Sequence, residues 1–406
     1  MMTAQGPLAG LKVIELAHIM AGPVCGLMLA DMGASVIKVE KIAGGDDSRR
    51  FLPPGIEGES AAFMMMNRNK RGIAIDLKHP SGKAVLRRLL AEADVLIENY
   101  RSDTMAKLGL GYEDLRKDNP GLIYCALSGF GRTGPYAELG GFDLIAQGMS
   151  GLMSITGEGP GRQPVKSGAP VTDITAGILA AMGVLAAYVH RLRTGEGQMV
   201  DTSLFEAGIT HTYWQSAIAL ATGIAPGPMG SAHPLNGPYQ AFEASDGWLT
   251  VGAGNQTNWQ RMLEAMELRE LADDPRFVDN AARMKHLDAL TALLAARFRQ
   301  RDTADWLARF AKVGVPAGPV LDVKQMHQDP QTAAREMLVE VAHPKAGKVK
   351  TIGLPVKFSA TPGKVVRAAP LLGEHSRDIL AEHGYSAAEI DALAAERAVL
   401  LGTPER

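Results

Sequence analysis

The sequence predicts an α/β protein whose N-terminal half forms a doubly wound, mainly parallel sheet. Strands and helices alternate through residues 11–127, and each strand is a short apolar run bounded by turn residues. Continuous apolar runs are typical of parallel strands that helices cover on both faces. Composition then changes at 223–238, where four prolines and four glycines indicate a domain boundary.

The first elements are a strand at 11–17, a helix from Ala21 to about Met32 and a strand at 35–40. The same alternation continues as far as residue 222. Further strands are predicted at 72–76, 95–99, 122–127 and 197–202. Helices are predicted at 80–93, between the strand at 95–99 and Lys117, and at 144–153, 174–189 and 203–222. In such a sheet, ligands bind beyond the carboxyl ends of the strands. No G-x-G-x-x-G follows the first strand, so a dinucleotide site is not predicted.

The part after the boundary has a different pattern. A hairpin is predicted from 239–242 to 248–251, and residues 316–321 are expected to form a strand that leads out of this part. Helices are predicted between them at 258–266, 287–299 and 303–313. Beyond Val323 we predict a helix, a hairpin around 345–348, an extended segment at 355–358, and helices after Glu374.

Composition argues against several classes of function. The 406 residues carry a formal net charge of −2, and no extended basic face predicts nucleic-acid or membrane binding. The two cysteines lie in apolar segments without metal-ligand spacing, which predicts buried free thiols and no metal site. The longest uncharged run, 174–189, is short for a membrane helix. The N-terminus lacks the pattern of a signal peptide, so a cytoplasmic location is expected.

Two polar clusters beside predicted strands are candidates for binding a phosphorylated ligand. The basic cluster at 67–71 is either a solvated turn or a phosphate contact. Asn99, Tyr100 and Arg101 follow another strand at its carboxyl end. At that place an arginine suits a phosphate, and a tyrosine suits stacking on a heterocycle.

Asp173 stands where a loop containing Gly and Pro becomes an uncharged helix. On position alone it is a helix cap, accepting N–H bonds from the next turn. The same place also suits catalysis, because free N–H groups and the helix dipole keep a half-buried carboxylate ionised and hence nucleophilic. Position alone leaves both interpretations open.

Seven short motifs occur in order along the chain. They are 8–15 (LAGLKVIE), 21–23 (AGP), 33–40 (GASVIKVE), 69–71 (NKR), 93–99 (ADVLIEN), 194–198 (TGEGQ) and 370–375 (PLLGEH). The ordered set resembles the class III (CaiB/BaiF-type) CoA-transferases, which include formyl-CoA transferase and carnitine CoA-transferase. No single motif is diagnostic, but together they cover essentially the whole chain.

The resemblance implies that Asp173 is the catalytic nucleophile, because Gly168, Asp173 and Gly177 match the family's Gly-x-x-x-x-Asp-x-x-x-Gly pattern. The family mechanism is covalent. The carboxylate attacks an acyl-CoA thioester, and an aspartyl anhydride and then an aspartyl–CoA thioester form on it. A free carboxylic acid then takes the CoA. Glycine-rich loops at 129–143 and 156–164 are expected to supply N–H donors to the oxyanions.

The resemblance also implies a CoA site, with CoA as a substrate and no tightly bound cofactor. Four cations match the three phosphates of CoA, namely Lys41, Lys78, Arg101 and Lys107. The other matched positions are Met20, Ala21, Ile75, Asn99 and Tyr100. Formyl-CoA transferase has a Gln at the position of Met20. A thioether cannot donate a hydrogen bond, which argues against formyl-CoA and oxalate chemistry.

For the fold, the resemblance implies a large Rossmann-like α/β domain with a smaller inserted α+β domain, in a homodimer of interlocked chains. The large domain is expected at 1–225 and 321–406, and the small domain at 226–320. The expected substrates are an acyl-CoA and a free carboxylic acid. Small dicarboxylates such as succinate are the first candidates for the donor.

Two other classes of function remain open. An α-methylacyl-CoA racemase shares this fold but needs a base on each face of Cα. Racemases carry a Gly-His-Asp loop, whereas this chain has Gly141, Phe142 and Asp143, and a phenyl ring cannot move a proton. The second class is a catalytically silent CoA-binding protein, against which Asp173 and the cationic set argue. A dehydratase coupled to CoA transfer, or an intramolecular transferase, would use the same Asp173.

Overall fold

The computed structural model describes residues 6–402, which divide into two compact units. The first unit comprises residues 6–150, Gly168–His211 and 330–402, and the second comprises Gly151–Ser167 and Thr212–Asp329. The sequence predicts boundaries after residues 225 and 320 and places 151–167 in the large domain, whereas 151–167 belong to the second unit, which ends at Asp329. Residues 1–5, on which the absence of a signal peptide is argued, lie outside the described part.

Strands and helices alternate through the first half of the chain. Within residues 6–402 the strands are β1 (Lys12–Leu16), β2 (Ser35–Glu40), β3 (Gly55–Ile56), β4 (Glu59–Ser60), β5 (Arg71–Ile75), β6 (Val95–Glu98), β7 (Ile123–Ser128), β8 (Met199–Ser203), β9 (Tyr239–Glu243), β10 (Trp248–Gly252), β11 (Ala317–Pro319), β12 (Leu338–His343), β13 (Gly347–Ile352) and β14 (Val399–Leu400). The α-helices are α1 (Ala21–Asp31), α2 (Ala61–Asn67), α3 (Pro80–Ala91), α4 (Thr104–Lys107), α5 (Tyr112–Asp118), α6 (Asp143–Met149), α7 (Val171–Thr194), α8 (Leu204–Thr210), α9 (Tyr213–Thr222), α10 (Gln256–Met266), α11 (Asn280–Lys285), α12 (Leu287–Phe298), α13 (Thr303–Val313), α14 (Val323–Gln328), α15 (Pro330–Ala334), α16 (Ser376–Glu382) and α17 (Ala387–Ala395).

The first unit is built on a seven-stranded sheet in the order β14-β5-β2-β1-β6-β7-β8. Every neighbouring pair is parallel except β14 with β5, which confirms the predicted α/β class. The edge strand β14 was not predicted, because two residues are too few to show a pattern. Strand order reverses beside β1, whose neighbours are β2 and β6. Ligands bind at such a switch point, outside the carboxyl ends of the strands.

Helices cover both faces of this sheet because successive side chains of a strand point to opposite faces. Val13 of β1 packs in a core with α1, α7 and α8, whereas Ile14 packs on the other face with α3 and α16. Cys25 and Cys125 are buried free thiols, as predicted.

Helix α7 is the long apolar helix that the sequence predicts, and it begins at Val171. Its small residues Ala176, Ala180 and Val184 are buried in the core beside α1. By length and composition alone, α7 is able to cross a membrane, and 39% of its most apolar window is buried in the protein. The core helix of a soluble protein passes the same test, and the contacts of α7 with α1 and β7 favour that interpretation.

The second unit holds a three-stranded antiparallel sheet in the order β11-β10-β9. The predicted hairpin is formed by β9 and β10. A strand is present within the predicted range 316–321, but it does not lead out of this part of the chain as predicted. It is the shorter β11, which pairs with β10 inside this unit. Helices α10, α12 and α13 enclose a core around Trp259, Phe298 and Trp306.

The single helix predicted at 203–222 is two helices, α8 and α9, interrupted at His211 and Thr212. The hydroxyl of Thr210 donates to the carbonyl of Ala207 at 2.7 Å. Such side-chain bonds compete with the backbone bonds of a helix, and Thr and His are weak helix formers. The interruption coincides with the change of unit after His211.

Candidate functional site

One edge of the first unit's sheet carries the loops that contain most of the predicted CoA residues. Strands β1, β2, β5 and β6 run in the same direction, so the loops after them leave from the same edge. These loops contain Met20, Lys41, Lys78, Asn99, Tyr100 and Arg101. Lys107 lies at the end of α4, a little further along the chain. Ile75 is the last residue of β5 and is buried.

The turn between β1 and α1 is held by Asn99. Its Oδ1 accepts from the N–H of His18 at 2.8 Å, and its Nδ2 donates to the carbonyl of His18 at 2.9 Å. Met20 then occupies the N-cap position of α1, and Ala21 is the first helical residue. The amide of Asn99 is therefore used to shape the turn that carries Met20 and Ala21.

His18 and Tyr100 meet beyond the ends of β1 and β6. Nε2 of His18 lies 3.0 Å from the hydroxyl of Tyr100. Burial raises the pKa of Tyr100 to about 12, which keeps the phenol neutral. Burial, and after it the charge of Lys38, lowers the pKa of His18, so the imidazole is neutral at pH 7. The side chains of His18 and Tyr100 therefore present an uncharged surface at the switch point, beyond the ends of β1 and β6.

The four cations that the resemblance assigns to the phosphates are all exposed. Lys41 pairs with Asp47 at 2.7 Å, and Lys107 pairs with Asp103. The side chains of Lys78 and Arg101 make no salt bridge or hydrogen bond within residues 6–402. The charge of Arg101 acts on Asp103 without forming a salt bridge with it.

Two cations of the basic cluster at 67–71, Arg68 and Lys70, contradict both interpretations, the solvated turn and the phosphate contact. Arg68 is 2% exposed and pairs with Asp31 at 2.6 Å. Lys70 is 0% exposed and pairs with Glu15 at 2.8 Å. Each cation is buried against a carboxylate from a distant part of the sequence, so these two cations hold the fold together.

Asp173 is the third residue of α7 and does not cap it. Its half-buried carboxylate accepts no hydrogen bond from the described residues. The donors at the start of α7 go to Asp143 instead, whose Oδ1 accepts from the N–H of Thr172 at 3.0 Å and from its hydroxyl at 2.8 Å. Oδ2 of Asp143 accepts from Gln147 at 2.7 Å. The interpretation of Asp173 as a cap is therefore wrong, and its oxygens stay available.

The electrostatics at Asp173 also differ from the expectation. Burial, and after it the charge of Asp143, raises the pKa of Asp173 to about 6. The helix N-terminus does not hold this pKa low, because burial and a like charge outweigh it. At pH 7 roughly nine-tenths of such a group is ionised. The carboxylate is therefore anionic but more basic than an ordinary aspartate.

Gly177 explains the spacing of the motif around Asp173. A Cβ at Gly177 would lie 2.6 Å from the carbonyl oxygen of Ala21 and 2.7 Å from the side chain of Val24. Only glycine allows α7 to approach α1 this closely. By contrast, a Cβ at Gly168 would meet nothing within 4 Å. The motif thus places Asp173 one helical turn from the contact between α7 and the start of α1.

The loop before α6 delivers Asp143 to the start of α7. Its two ends cross so closely that a Cβ on Gly129 would lie 2.6 Å from the Cα of Gly141. Phe142 is the N-cap residue of α6 and is 71% exposed. The other glycine-rich loop, at 156–164, belongs to the second unit.

Three neighbours of the site were missed at the level of sequence, namely His18, Asp46 and Asp143. Asp143 was noted only as the residue after Phe142, and Asp46 begins a charged run that is typical of a solvated loop. His18 had no distinguishing signal. Among residues 6–402 there is no group of three or more His, Cys, Asp or Glu side chains able to hold a metal ion.

Comparison with known proteins identifies the family to which the chain belongs. The model of CoA-transferase family III matches residues 8–376. A succinate–glutarate CoA-transferase from Agrobacterium fabrum is 43% identical over 382 residues, which cover 93% of this chain and 95% of that protein. An acetyl-CoA:oxalate CoA-transferase from Acetobacter aceti is 40% identical over 357 residues, covering 87% and 90%.

A solved structure agrees with these relatives. The crystal structure of a CaiB/BaiF family protein from Brucella suis matches with a TM-score of 0.83 at 43% identity, covering 93% of this chain and 100% of that chain. The chain therefore belongs to CoA-transferase family III, and it is a class III CoA-transferase. The resemblance indicated by the seven motifs is confirmed.

Proposed function

We propose that this enzyme transfers CoA through two covalent intermediates on Asp173. The observation that carries the proposal is the state of the Asp173 carboxylate. It is half-buried, it accepts no hydrogen bond from the described residues, and its pKa is raised to about 6. A basic carboxylate whose oxygens are not engaged is a better nucleophile than a capped one.

The proposed steps exchange one anion for another. An oxygen of Asp173 bonds to the thioester carbon of the donor, the C–S bond breaks, and CoA leaves as a thiolate. The thiolate then attacks the Asp173 carbonyl of the anhydride, and the donor acid leaves as a carboxylate. The acceptor carboxylate reverses both steps and departs as its CoA ester. No proton is transferred, which fits the neutral His18 and the absence of a base at Phe142.

The CoA site is proposed at the carboxyl edge of the first unit's sheet. Lys78 and Arg101 are proposed to contact the phosphates directly, because their side chains form no salt bridge or hydrogen bond in the described part of the chain. Lys41 and Lys107 contribute after exchanging an aspartate for a phosphate. The uncharged part of CoA passes Met20, Ala21, Ile75, Asn99 and Tyr100.

Small dicarboxylic acids are the proposed substrates, with succinyl-CoA as the donor. The support is the name of the relative from Agrobacterium fabrum, a succinate–glutarate CoA-transferase. The test is a matrix of CoA esters and free acids, with each new CoA ester identified by mass spectrometry. We expect transfer from succinyl-CoA to at least one dicarboxylate. Transfer confined to monocarboxylic acids would contradict the proposed substrate class.

A homodimer is proposed as the working form. Helix α7 exposes an apolar face at helical spacing, with Ile178 48% and Met182 61% exposed, and Leu192 is 68% exposed near its end. A second copy of this chain is the occupant that the family resemblance favours. Light scattering should give twice the monomer mass, and Met182→Glu should lower it. A monomer at working concentrations would contradict this proposal.

Racemisation is the alternative that shares the fold, and the exposed Phe142 offers it no second base. With a 2-methylacyl-CoA in deuterated water, a racemase must exchange the Cα proton, whereas a transferase touches only the carbonyl. We expect no deuterium at Cα. Rapid exchange without any acceptor acid would move this chain to the racemase branch.

A further inference from the structure

The residue before the N-cap of α1 is strained. Ile19 has a φ of +66°, in the left-handed region. This region is unfavourable for any L-residue and most of all for a β-branched one. Strained residues of this kind persist only where the surroundings hold them, and they cluster at functional sites. Ile19 lies beside Met20 and Ala21, at the edge of the sheet where the CoA site is proposed.

Asp46 is the side chain that holds Ile19. The N–H of Ile19 donates to both carboxylate oxygens of Asp46, at 3.0 and 3.2 Å. Asp46 is 0% exposed, and Oδ1 also accepts from the N–H and hydroxyl of Ser48 at 2.9 and 2.8 Å. Oδ2 pairs with Nζ of Lys38 at 2.9 Å. Its environment therefore fixes the carboxylate on every side.

Lys38 ties the same carboxylate to the end of β1. Its Nζ is fully buried, donates to the carbonyl of Ala17 at 2.8 Å and pairs with Glu15 at 3.0 Å. Glu15 also pairs with Lys70, which donates to the carbonyl of Pro23 in the first turn of α1 at 2.9 Å. The buried ammonium groups of Lys38 and Lys70 thus bind backbone carbonyls before and after the turn.

The loop that carries Asp46 is itself anchored. The N–H of Asp46 donates to Oε2 of Glu40 at 2.8 Å, and Arg49 binds both oxygens of Glu40 at 2.7 Å. Gly45 makes this possible, because a Cβ there would lie 2.6 Å from Glu40. The backbone of Asp46 is therefore fixed, and its carboxylate in turn fixes the position of the Ile19 N–H group.

Burying several charges is an expensive way to gain stability, because desolvation offsets most of the attraction. The network of buried charges around Asp46 and Lys38 is better explained by the single backbone conformation that it enforces in the turn between β1 and α1. That arrangement fixes Met20 and Ala21, and Ala21 is the residue against which Gly177 packs, one turn after Asp173. The network and the nucleophile thus meet on the same short segment.

We propose that Asp46 is a positioning residue for CoA transfer, holding Ile19 in its left-handed conformation so that the start of α1 is set against the thioester. This inference rests on the function proposed above. Asp46 does not touch the reacting atoms. Its loss should therefore reduce kcat far more than the binding of CoA, because a small misplacement of a reacting group costs about 100-fold in rate.

The test compares four variants of the full chain. Asp46→Asn should lower kcat by about 30- to 100-fold, with CoA affinity by calorimetry unchanged. Ile19→Gly alone should remain active, because glycine adopts this φ without strain. For the same reason, Ile19→Gly combined with Asp46→Asn should restore most of the lost kcat. Asp31→Asn is the matched control, since Asp31 is a buried carboxylate paired with Arg68 at the far end of α1.

The proposal is overturned if Asp46→Asn keeps the wild-type kcat. It is also overturned if adding Ile19→Gly to Asp46→Asn restores no kcat while Asp31→Asn loses as much kcat as Asp46→Asn does. If Asp46→Asn does not fold, Asp46→Glu keeps the charge beside Lys38 but moves the oxygens from Ile19, and the same loss and rescue are expected. Asp173→Asn separates the two proposals. An active Asp173→Asn refutes the covalent mechanism, whereas an inactive one beside a fully active Asp46→Asn refutes only the positioning role.

Discussion

The charge of Asp143 acts on Asp173 at the start of α7, and of these two carboxylates only that of Asp143 accepts hydrogen bonds from the described residues. Thr172 and Gln147 satisfy Asp143, while Asp173 is left with burial and a neighbouring negative charge. Both influences raise the pKa of Asp173, to about 6. This difference makes Asp143 structural and leaves the oxygens of Asp173 without a hydrogen bond from the described residues.

Asp143→Asn should move the pH dependence of the enzyme. Under the proposed mechanism the rate should fall as pH drops through the pKa of Asp173, because protonation would remove the nucleophile. Removing the charge of Asp143 lowers that pKa, so the acid limb of kcat/KM should shift to lower pH. Asn keeps an oxygen for Thr172, and Asp31→Asn serves as a control that should leave the limb in place. A limb that stays put, or moves upward, would show that Asp143 does not act on Asp173.

Asp173→Asn should abolish transfer and stabilise the fold near pH 8. The pKa of Asp173 is raised in the folded state, so the folded protein binds more protons than the unfolded chain between about pH 4 and 6. Stability therefore falls as pH rises through that window, and the deficit at pH 8 is roughly 1–3 kcal/mol. Urea unfolding should show this gain at pH 8 and little of it at pH 4. If the difference in unfolding free energy between Asp173→Asn and the wild type is the same at pH 4 and pH 8, the raised pKa is contradicted.

Gly177→Ala should damage both stability and activity. The added methyl group meets Ala21 and Val24, and overpacking of this kind costs about 1–3 kcal/mol. Asp173 lies one turn away, so kcat should fall as well. Gly168→Ala is the comparison within the same motif, and its Cβ meets nothing within 4 Å. Similar losses in both variants would show that the close approach of α7 to α1 is not what the motif provides.

Removing Lys78 and Arg101 should weaken CoA binding, by roughly tenfold for each charge-assisted contact. The effect should shrink as salt concentration rises, because both side chains are exposed. Lys12→Ala is the control, since Lys12 begins β1 and lies at the opposite edge of the sheet. Calorimetry that finds wild-type affinity in the double variant places the phosphates elsewhere.

The strands and their carboxyl edge were predictable because their signals are local. Runs such as 35–40 and 95–99 show their apolar character in a few residues, and β2 spans Ser35–Glu40 as predicted. Asp173 was placed as a nucleophile by the resemblance, whereas its position in the sequence favoured a cap. The structure shows why Asp173 is not a cap, because Asp143, thirty residues earlier, accepts the hydrogen bonds of Thr172.

The buried charges could not be predicted, because burial depends on partners far away in the sequence. Lys70 looks like part of a solvated basic run until Glu15 is found beside it. Asp46 likewise sits in a charged segment, and only the fold brings it to Ile19 and Lys38. The strain at Ile19 has no sequence signal at all, since isoleucine is a residue that normally avoids this conformation.

The most direct test of the covalent mechanism is mass spectrometry of the enzyme mixed with succinyl-CoA and no acceptor acid. We expect release of free succinate and a CoA adduct on the peptide that contains Asp173, which hydroxylamine converts to a hydroxamate at that residue. Asp173→Asn should give neither product. An enzyme that transfers CoA with no adduct on Asp173, or with the adduct on another residue, would contradict the account.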